Sequence, residues 1–266
     1  MDGQAIEAGT LRPVAAAAIL GRRIVSGDLT PGTTLPNLDE LAGQFSISRL
    51  SMREAIKLLA GKGLVSSAPR RGTVVRPRNE WSRLDPDVLV WQLGDVPNAA
   101  FVRSLFELRR MVEPEAAAMA AKRASGAALA AIESAFSQME AAESRAPESI
   151  KADVAFHQAI LTATGNEFIA ALAPAIETSL MLTFTIQRGA WPNPHNFVPS
   201  HRAVLAAIQR GDAEGARSEV QSLLVRSEAD AIDGLQHLDT RQATTKGSRA
   251  GKAGARQQPL RSADGL

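Results

Sequence analysis

The sequence predicts a mainly α protein in two parts: a short N-terminal module ending in a two-stranded hairpin, then a longer all-helical body. Three observations lead there. Apolar residues recur at helical spacing through residues 86–238, with no run of strand-like alternation. Residues 11–64 instead show short helical patterns broken by Gly, Pro and Ser, followed by the strand-like runs Leu64-Val65-Ser66-Ser67 and Thr73-Val74-Val75. Charge divides the same way. Residues 1–79 carry 11 Lys/Arg against 6 Asp/Glu, residues 80–238 carry 13 against 20, and residues 239–266 carry 6 against 2. A basic front on an acidic body suits a polyanion-binding module joined to a domain of different purpose.

Composition narrows the chemistry. The 266 residues are 45% hydrophobic, enough for a sizeable core, and include no cysteine. Disulfides, Cys-ligated zinc, iron–sulfur clusters and thiol nucleophiles are excluded. No apolar run of about 18 residues stands out, so no membrane partner is expected. Met1-Asp2-Gly3-Gln4 lacks the basic-then-apolar order of a signal peptide, and a cytoplasmic location is expected.

Residues 1–10 read as a flexible arm and residues 11–76 as one module. Val14–Val25 is a helix stopped by Ser26-Gly27, and Leu29-Thr30-Pro31-Gly32 is a turn. Leu38–Phe45 and Arg49–Ala60 are helices separated by Ser46-Ile47-Ser48. Ala68-Pro69-Arg70-Arg71-Gly72 joins the two strands. Helix, helix, turn, helix, hairpin is a winged helix-turn-helix pattern, whose recognition helix enters the DNA major groove. At about 100° per residue, Met52, Ala55, Ile56 and Leu59 share one face of helix 49–60. Arg49, Arg53 and Lys57 form an i, i+4 row beside it, and Leu58 points away with no assigned partner. Ser48 suits the N-cap and Ser51 the first turn, where exposed N–H groups favour phosphate. Arginine offers bidentate contacts to guanine or phosphate.

Residues 77–97 read as linker and connecting helix, since 76–85 is polar and contains Pro77, and 86–94 is helical. Further helices are expected near 98–123, 127–144, 148–164, 167–188, 199–210 and 213–235. Residues 98–238 make the helical domain, and 239–266, aperiodic and basic, read as a disordered tail.

Polar residues on inward faces mark a candidate site. Arg109 lies at the edge of the stripe of Phe101, Leu105, Leu108, Val112 and Met119, with Glu113 one turn on as a partner, whereas Arg110 points away. Asp153 and His157 share the face of Ile150, Val154 and Leu161, and His201 lies within the stripe of Val204, Leu205 and Ile208. A carboxylate and two neutral imidazoles suit a divalent cation with open positions. Arg109 would then pair the carboxylate of a sugar acid or hydroxy-carboxylate. The alternative is an Asp–His hydrogen bond beside an unrelated core histidine. No residue is placed as a general base, so no catalytic residue is assigned and the chain is not expected to be an enzyme. A helical metal-dependent hydrolase with a DNA-binding appendage stays the second reading.

The segment IVSGDLTPGTTLPNLDELAGQFSISRLSMREAIKLLAGKGLVSSAPRRGTVV resembles the DNA-binding domain of the GntR family of bacterial transcription regulators. Its markers are Gly27, Pro31-Gly32, Leu35-Pro36, Leu41-Ala42, Ser48-Arg49, Arg53-Glu54-Ala55, Gly63-Leu64 and Arg71-Gly72-Thr73. The resemblance implies operator contacts from Arg49 and Arg53, and a wing tip at Gly72 near the minor groove. With the helix residues, this makes the DNA-binding set Ser48, Arg49, Ser51, Arg53, Lys57, Arg71, Gly72 and Thr73. The pattern departs at Asn37-Leu38-Asp39, where some members carry an arginine.

ELRRMVEPEAA, ADVAFHQAILTATGNEF and HRAVLAAIQRGDAEGA resemble the FCD effector domain of the FadR-type subfamily. That resemblance implies a metal held by one Asp and three His, and Asp153, His157 and His201 match the first three. The last histidine falls on Leu223. Either a divalent metal (Zn, Mn or Ni) sits on three protein ligands plus water or effector, with His195 as a substitute ligand, or no metal is bound. The effector-binding set is Arg109, Asp153, His157, Asn166 and His201. PRNEWSRLDPDVLVW followed by ELRRMVEP resembles the galactonate-operon repressors of this subfamily. The resemblance implies a bacterial homodimer on double-stranded operator DNA, nucleoid-associated when bound and released by a sugar acid.

Overall fold

The structure, a computed structural model, describes residues 12–93, 99–142, 147–190 and 197–254. The arm at 1–10 and His195 lie outside the described residues. The chain forms two compact units, one of Met1–Asn98 with Glu167–Ser179 and one of Ala99–Asn166 with Leu180–Leu266.

In the first unit, α1 (Pro13–Ser26) begins with proline, whose missing N–H costs nothing in a first turn. It buries Ala16, Ala17, Leu20 and Ile24. α2 (Leu38–Gln44) starts with a capping box: the Asn37 side chain accepts from the Asp39 and Glu40 N–H groups, and Glu40 accepts from the Asn37 N–H. α3 (Arg49–Gly61) is capped by Ser48 and buries Met52, Ala55, Ile56 and Leu59. Leu58 is 39% exposed, so its unmatched position on the helix is a surface position. The strands β1 (Val65–Ala68) and β2 (Gly72–Val75) pair antiparallel, Val65 opposite Val75 and Ala68 opposite Gly72. At the tip, Arg71 N–H donates to the Ala68 carbonyl, Pro69 takes the second turn position, and Arg70 takes the third with φ 65°. That is a type II arrangement in which Arg70 adopts a conformation glycine adopts more easily. The hairpin also gains a third edge: Thr34 bridges Val74, and Leu35 N–H donates to the Thr73 carbonyl at 2.8 Å.

The polar stretch after the hairpin is not a free linker. Trp81 is buried, and its indole N–H donates to the Arg76 carbonyl at 3.0 Å. Gly63, at φ 73°, lies so near the Glu80 carbonyl that a Cβ would sit 2.5 Å from its oxygen. α4 (Pro86–Leu93) packs on α1, where Gly21 faces the Trp91 ring and a Cβ would come within 2.3 Å of it. Lys62 ties the two ends together, 2.8 Å from Asp85, 2.7 Å from Asp87 and 5.7 Å above the Trp91 ring. Trp81, Val88 and Trp91 therefore belong to the core of the N-terminal module, while the polar residues that suggested a linker, Arg78, Asn79 and Glu80, cover its outside.

After α4 come α5 (Ala99–Arg123), α6 (Gly126–Ala141), α7 (Pro147–Ala163), α8 (Glu167–Ala170), α9 (Ala173–Ala190), α10 (Val198–Gln209) and α11 (Ala213–Gly254), of which α8 and α9 as far as Ser179 are grouped with the first unit. α5 packs on α7, α10 and α11, and α6 packs on α7 and α10. Two expectations are corrected. The single helix expected at 167–188 is two, because Pro174 has no N–H to continue a helix and fits a first turn. The last helix runs to Gly254, through much of the expected tail. Residues 239–254 contain no proline to stop the helix. Contrary to the expectation from composition, Glu167–Gln187 is long and apolar enough to cross a membrane, with a mean hydropathy of 1.6. It is broken between α8 and α9 and carries buried Thr178, Ser179, Thr183 and Gln187, which fits a core element.

Docking of α4 makes a measurable claim. Trp91→Ala is expected to lower the stability of the N-terminal unit by about 3 kcal/mol, and Gly21→Leu should also destabilise it through the ring clash. Urea unfolding checks both; wild-type midpoints would contradict the packing.

Candidate DNA interface and ligand cavity

One open concavity in the first unit is lined by Arg49, Arg53 and Lys57 of α3 and by Arg70, Arg71, Gly72 and Thr73 of the hairpin. The cationic row of the recognition helix and the wing tip thus share one surface. Ser48 and Ser51 serve it differently. The Ser48 hydroxyl accepts from the Ser51 N–H at 3.0 Å, and the two hydroxyls lie 2.9 Å apart, so both are engaged in the helix cap. Lys57 lies 2.8 Å from Glu54, and Arg49 lies 3.1 Å from Asp39. Asp39, where some family members have a cation, thus places a carboxylate on the first arginine of the recognition helix. Arg53 is exposed and has no ion pair among the described residues. Sequence reasoning missed Arg70, placed by the hairpin turn, and the Asp39 contact, which joins the first turns of two helices.

The second unit encloses a cavity of about 340 Å³ lined by side chains from α5, α6, α7, α9, α10 and α11. At its polar end, Arg109 is 1% exposed, with Nε 2.5 Å and Nη2 3.4 Å from the Glu113 carboxylate. Its Nη1 is buried with no hydrogen-bond partner. Glu113 also lies 2.6 Å from His157 Nδ1. Burial alone would raise the Glu113 carboxyl, but Arg109 and His157 outweigh it and hold it at about 2. An ionised carboxylate can only accept, so His157 Nδ1 carries a proton, and in the neutral ring Nε2 keeps its lone pair. His201 is set the same way, because its Nδ1 lies 2.8 Å from the Phe197 carbonyl, which also can only accept.

The two Nε2 atoms therefore face each other at 3.4 Å. Asp153 Oδ1 lies 2.9 Å from His201 Nε2 and 3.6 Å from His157 Nε2. Burial would raise the Asp153 carboxyl, and the His201 contact with the nearby charges of His201, His157 and Arg109 brings it below its ordinary value. The three facing atoms, within 4.8 Å of one another, are held together by a proton on one Nε2 or by a cation between them. This donor set fits a divalent metal with open positions. Leu223 is buried in the cavity wall and adds an apolar contact there, not a ligand.

Asn166 is not brought to the site. It follows the end of α7, where its N–H donates to the Thr164 hydroxyl at 3.1 Å, and it is absent from the cavity lining. Nine residues separate it from His157, about 13 Å along a helix. Gln187 was missed in its place. It lines the cavity together with Leu180, Thr183 and Phe184, at i, i+3, i+4 and i+7 on α9. Glu113, foreseen only as a partner of Arg109, also orients His157.

The model for the gntR family of bacterial regulatory proteins matches residues 14–75, and the FCD domain model matches residues 104–226. The galactonate operon transcriptional repressor of Escherichia coli K12 is 34% identical over 209 residues, covering 78% of this chain and 91% of that protein. The chain belongs to the GntR family. As a GntR protein with an FCD domain, it is a sequence-specific DNA-binding transcription regulator. GntR regulators of this kind bind operator DNA through the first domain and small effectors through the FCD domain. The HTH-type transcriptional regulator LutR of Bacillus subtilis is 29% identical, covering 75% of this chain and 91% of that protein. A solved structure of Lar, which controls expression of the Listeria monocytogenes agr system, shares the fold at 18% identity. Its TM-score is 0.59, over 84% of this chain and 98% of that one.

Removing the carboxylate between Arg109 and His157 leaves a buried guanidinium unpaired. Glu113→Ala is therefore expected to destabilise the FCD unit by about 3–5 kcal/mol. Because the Glu113 carboxyl is held below its ordinary 4.5, its stabilisation is present above that pH and is lost as pH falls from 4.5 toward about 2. Thermal unfolding across that range should show a shallower acid dependence in Glu113→Gln than in the wild type.

Proposed function

We propose that this GntR regulator is a homodimeric cytoplasmic repressor of a sugar-acid catabolic operon, released from its operator when the acid enters the FCD cavity. One observation carries the reading: the buried, unpartnered Nη1 of Arg109 opens on the same cavity as the Asp153, His157 and His201 cluster. A fixed guanidinium matches a carboxylate, and the neighbouring cluster suits the hydroxyl oxygens beside it. The 34% identity to a repressor named for a galactonate operon supports the same ligand class.

Asp153, His157 and His201 would hold a divalent metal, which when bound supplies a Lewis-acidic contact to effector oxygens. Arg109 orients the acid, Glu113 fixes Arg109 and His157, and the apolar wall with Leu223 keeps the site dry. Arg49, Arg53 and Lys57 would read and grip the operator, with Arg71, Gly72 and Thr73 at the wing. Effector binding releases DNA only if it favours the DNA-incompetent state, and a 100-fold drop in operator affinity requires a coupling of about 2.7 kcal/mol.

Operator binding measured against a sugar-acid panel, before and after chelation, tests this. Galactonate or a related acid should weaken binding, and chelation should blunt that response. Asp153→Ala should bind operator normally yet no longer respond. An unchanged response in that variant would remove the effector site from this cavity, and turnover of the acid would favour the hydrolase. Arg53→Ala should cost about 1–3 kcal/mol of operator affinity and relax sequence preference; equal affinity for every duplex in the wild type would defeat the operator assignment.

A further inference from the structure

A second buried donor lies in the same cavity. The side-chain amide nitrogen of Gln187 has no hydrogen-bond partner, and the residue is 4% exposed. Leaving an amide N–H buried and unpaired is unfavourable, and most such groups are satisfied in folded proteins. Among the described residues that line the cavity, Arg109 Nη1 is the other buried side-chain donor without a hydrogen-bond partner. The two donors differ in kind. Arg109 is charged and suits a carboxylate, whereas the Gln187 amide is neutral and offers both a donor and an acceptor. A hydroxyl, which also donates and accepts, is its natural complement. Along α9, Gln187 shares its face with the apolar Leu180 and Phe184 and with Thr183.

The cavity volume, about 340 Å³, falls at the lower end of the range of small-molecule pockets, about 300–1,000 Å³. A two-carbon acid seated at Arg109 leaves most of that space unfilled. A longer polyhydroxylated chain fills it.

We infer that Gln187 is a specificity-determining residue that hydrogen-bonds a chain hydroxyl of the effector, so that the cavity selects polyhydroxylated acids over short hydroxy acids. This rests on the sugar-acid reading above. A site built to hydrogen-bond a hydroxyl discriminates strongly against ligands lacking it, because its own polar group is then left unpaired.

Calorimetric titration of the full chain with galactonate, gluconate, lactate and glycolate, each in the presence of zinc, tests the assignment. The wild type should prefer the two sugar acids. Gln187→Leu should lose at least tenfold affinity for them while binding of lactate and glycolate changes less than twofold. Gln187→Glu should lose more, since a second carboxylate repels the acid. A merely structural role would weaken all four ligands together and leave their ratios unchanged; that result, or wild-type selectivity in Gln187→Leu, overturns the inference while leaving the effector cavity standing. If the wild type binds none of the four, the sugar-acid reading fails and this inference falls with it.

Discussion

The Glu113 carboxylate is the constraint on which the sensing unit depends. It is buried between a guanidinium and an imidazole, and each of its oxygens has a job. One side fixes Arg109 so that a single N–H-bearing nitrogen remains to meet a ligand. The other fixes the His157 ring and turns its Nε2 toward Asp153 and His201. Neither neighbour could be left alone in a dry interior: an isolated guanidinium would carry its full desolvation penalty, and an unanchored imidazole could present either nitrogen. The backbone carbonyl of Phe197 does for His201 what Glu113 does for His157. Convergence of the three facing atoms is thus built by groups one layer behind them.

The DNA-binding unit follows a different logic. Its recognition helix needs only a firm apolar back and an exposed cationic edge, and Met52, Ala55, Ile56 and Leu59 supply the back. Rigidity comes from further along the chain, where Trp81 and Trp91 close the core and Lys62 clamps the start of α4. The functional module therefore extends past the hairpin, through α4.

Periodicity made much of this readable. A charged or imidazole side chain inside an apolar stripe is an anomaly that must be explained by a partner, so Arg109, Asp153, His157 and His201 stood out from their helices before any coordinates. Gln187 did not, because one amide in an apolar stretch ending near 188 lacks that contrast. Asn166 was included through a matching segment, and a segment match says nothing about distance from the cavity. The docked stretch at 76–93 was hidden because its two tryptophans sit ten residues apart among polar residues with no shared period. The Thr34–Val74 bridge joins positions forty apart in sequence, and local patterns are blind to such pairings. Residues 239–254 show the opposite error: lack of an apolar face argues against packing, not against helix formation.

The contact between Asp39 and Arg49 reaches beyond local geometry. A phosphate docking on Arg49, as proposed above, would compete with a carboxylate already beside it. Salt loosens both partnerships, so the arginine arrives at the duplex with part of its charge spent, and fewer condensed counterions leave the duplex than a tally of its basic side chains implies. If Arg49 grips the operator as proposed, the slope of log affinity against log salt is shallower than that tally.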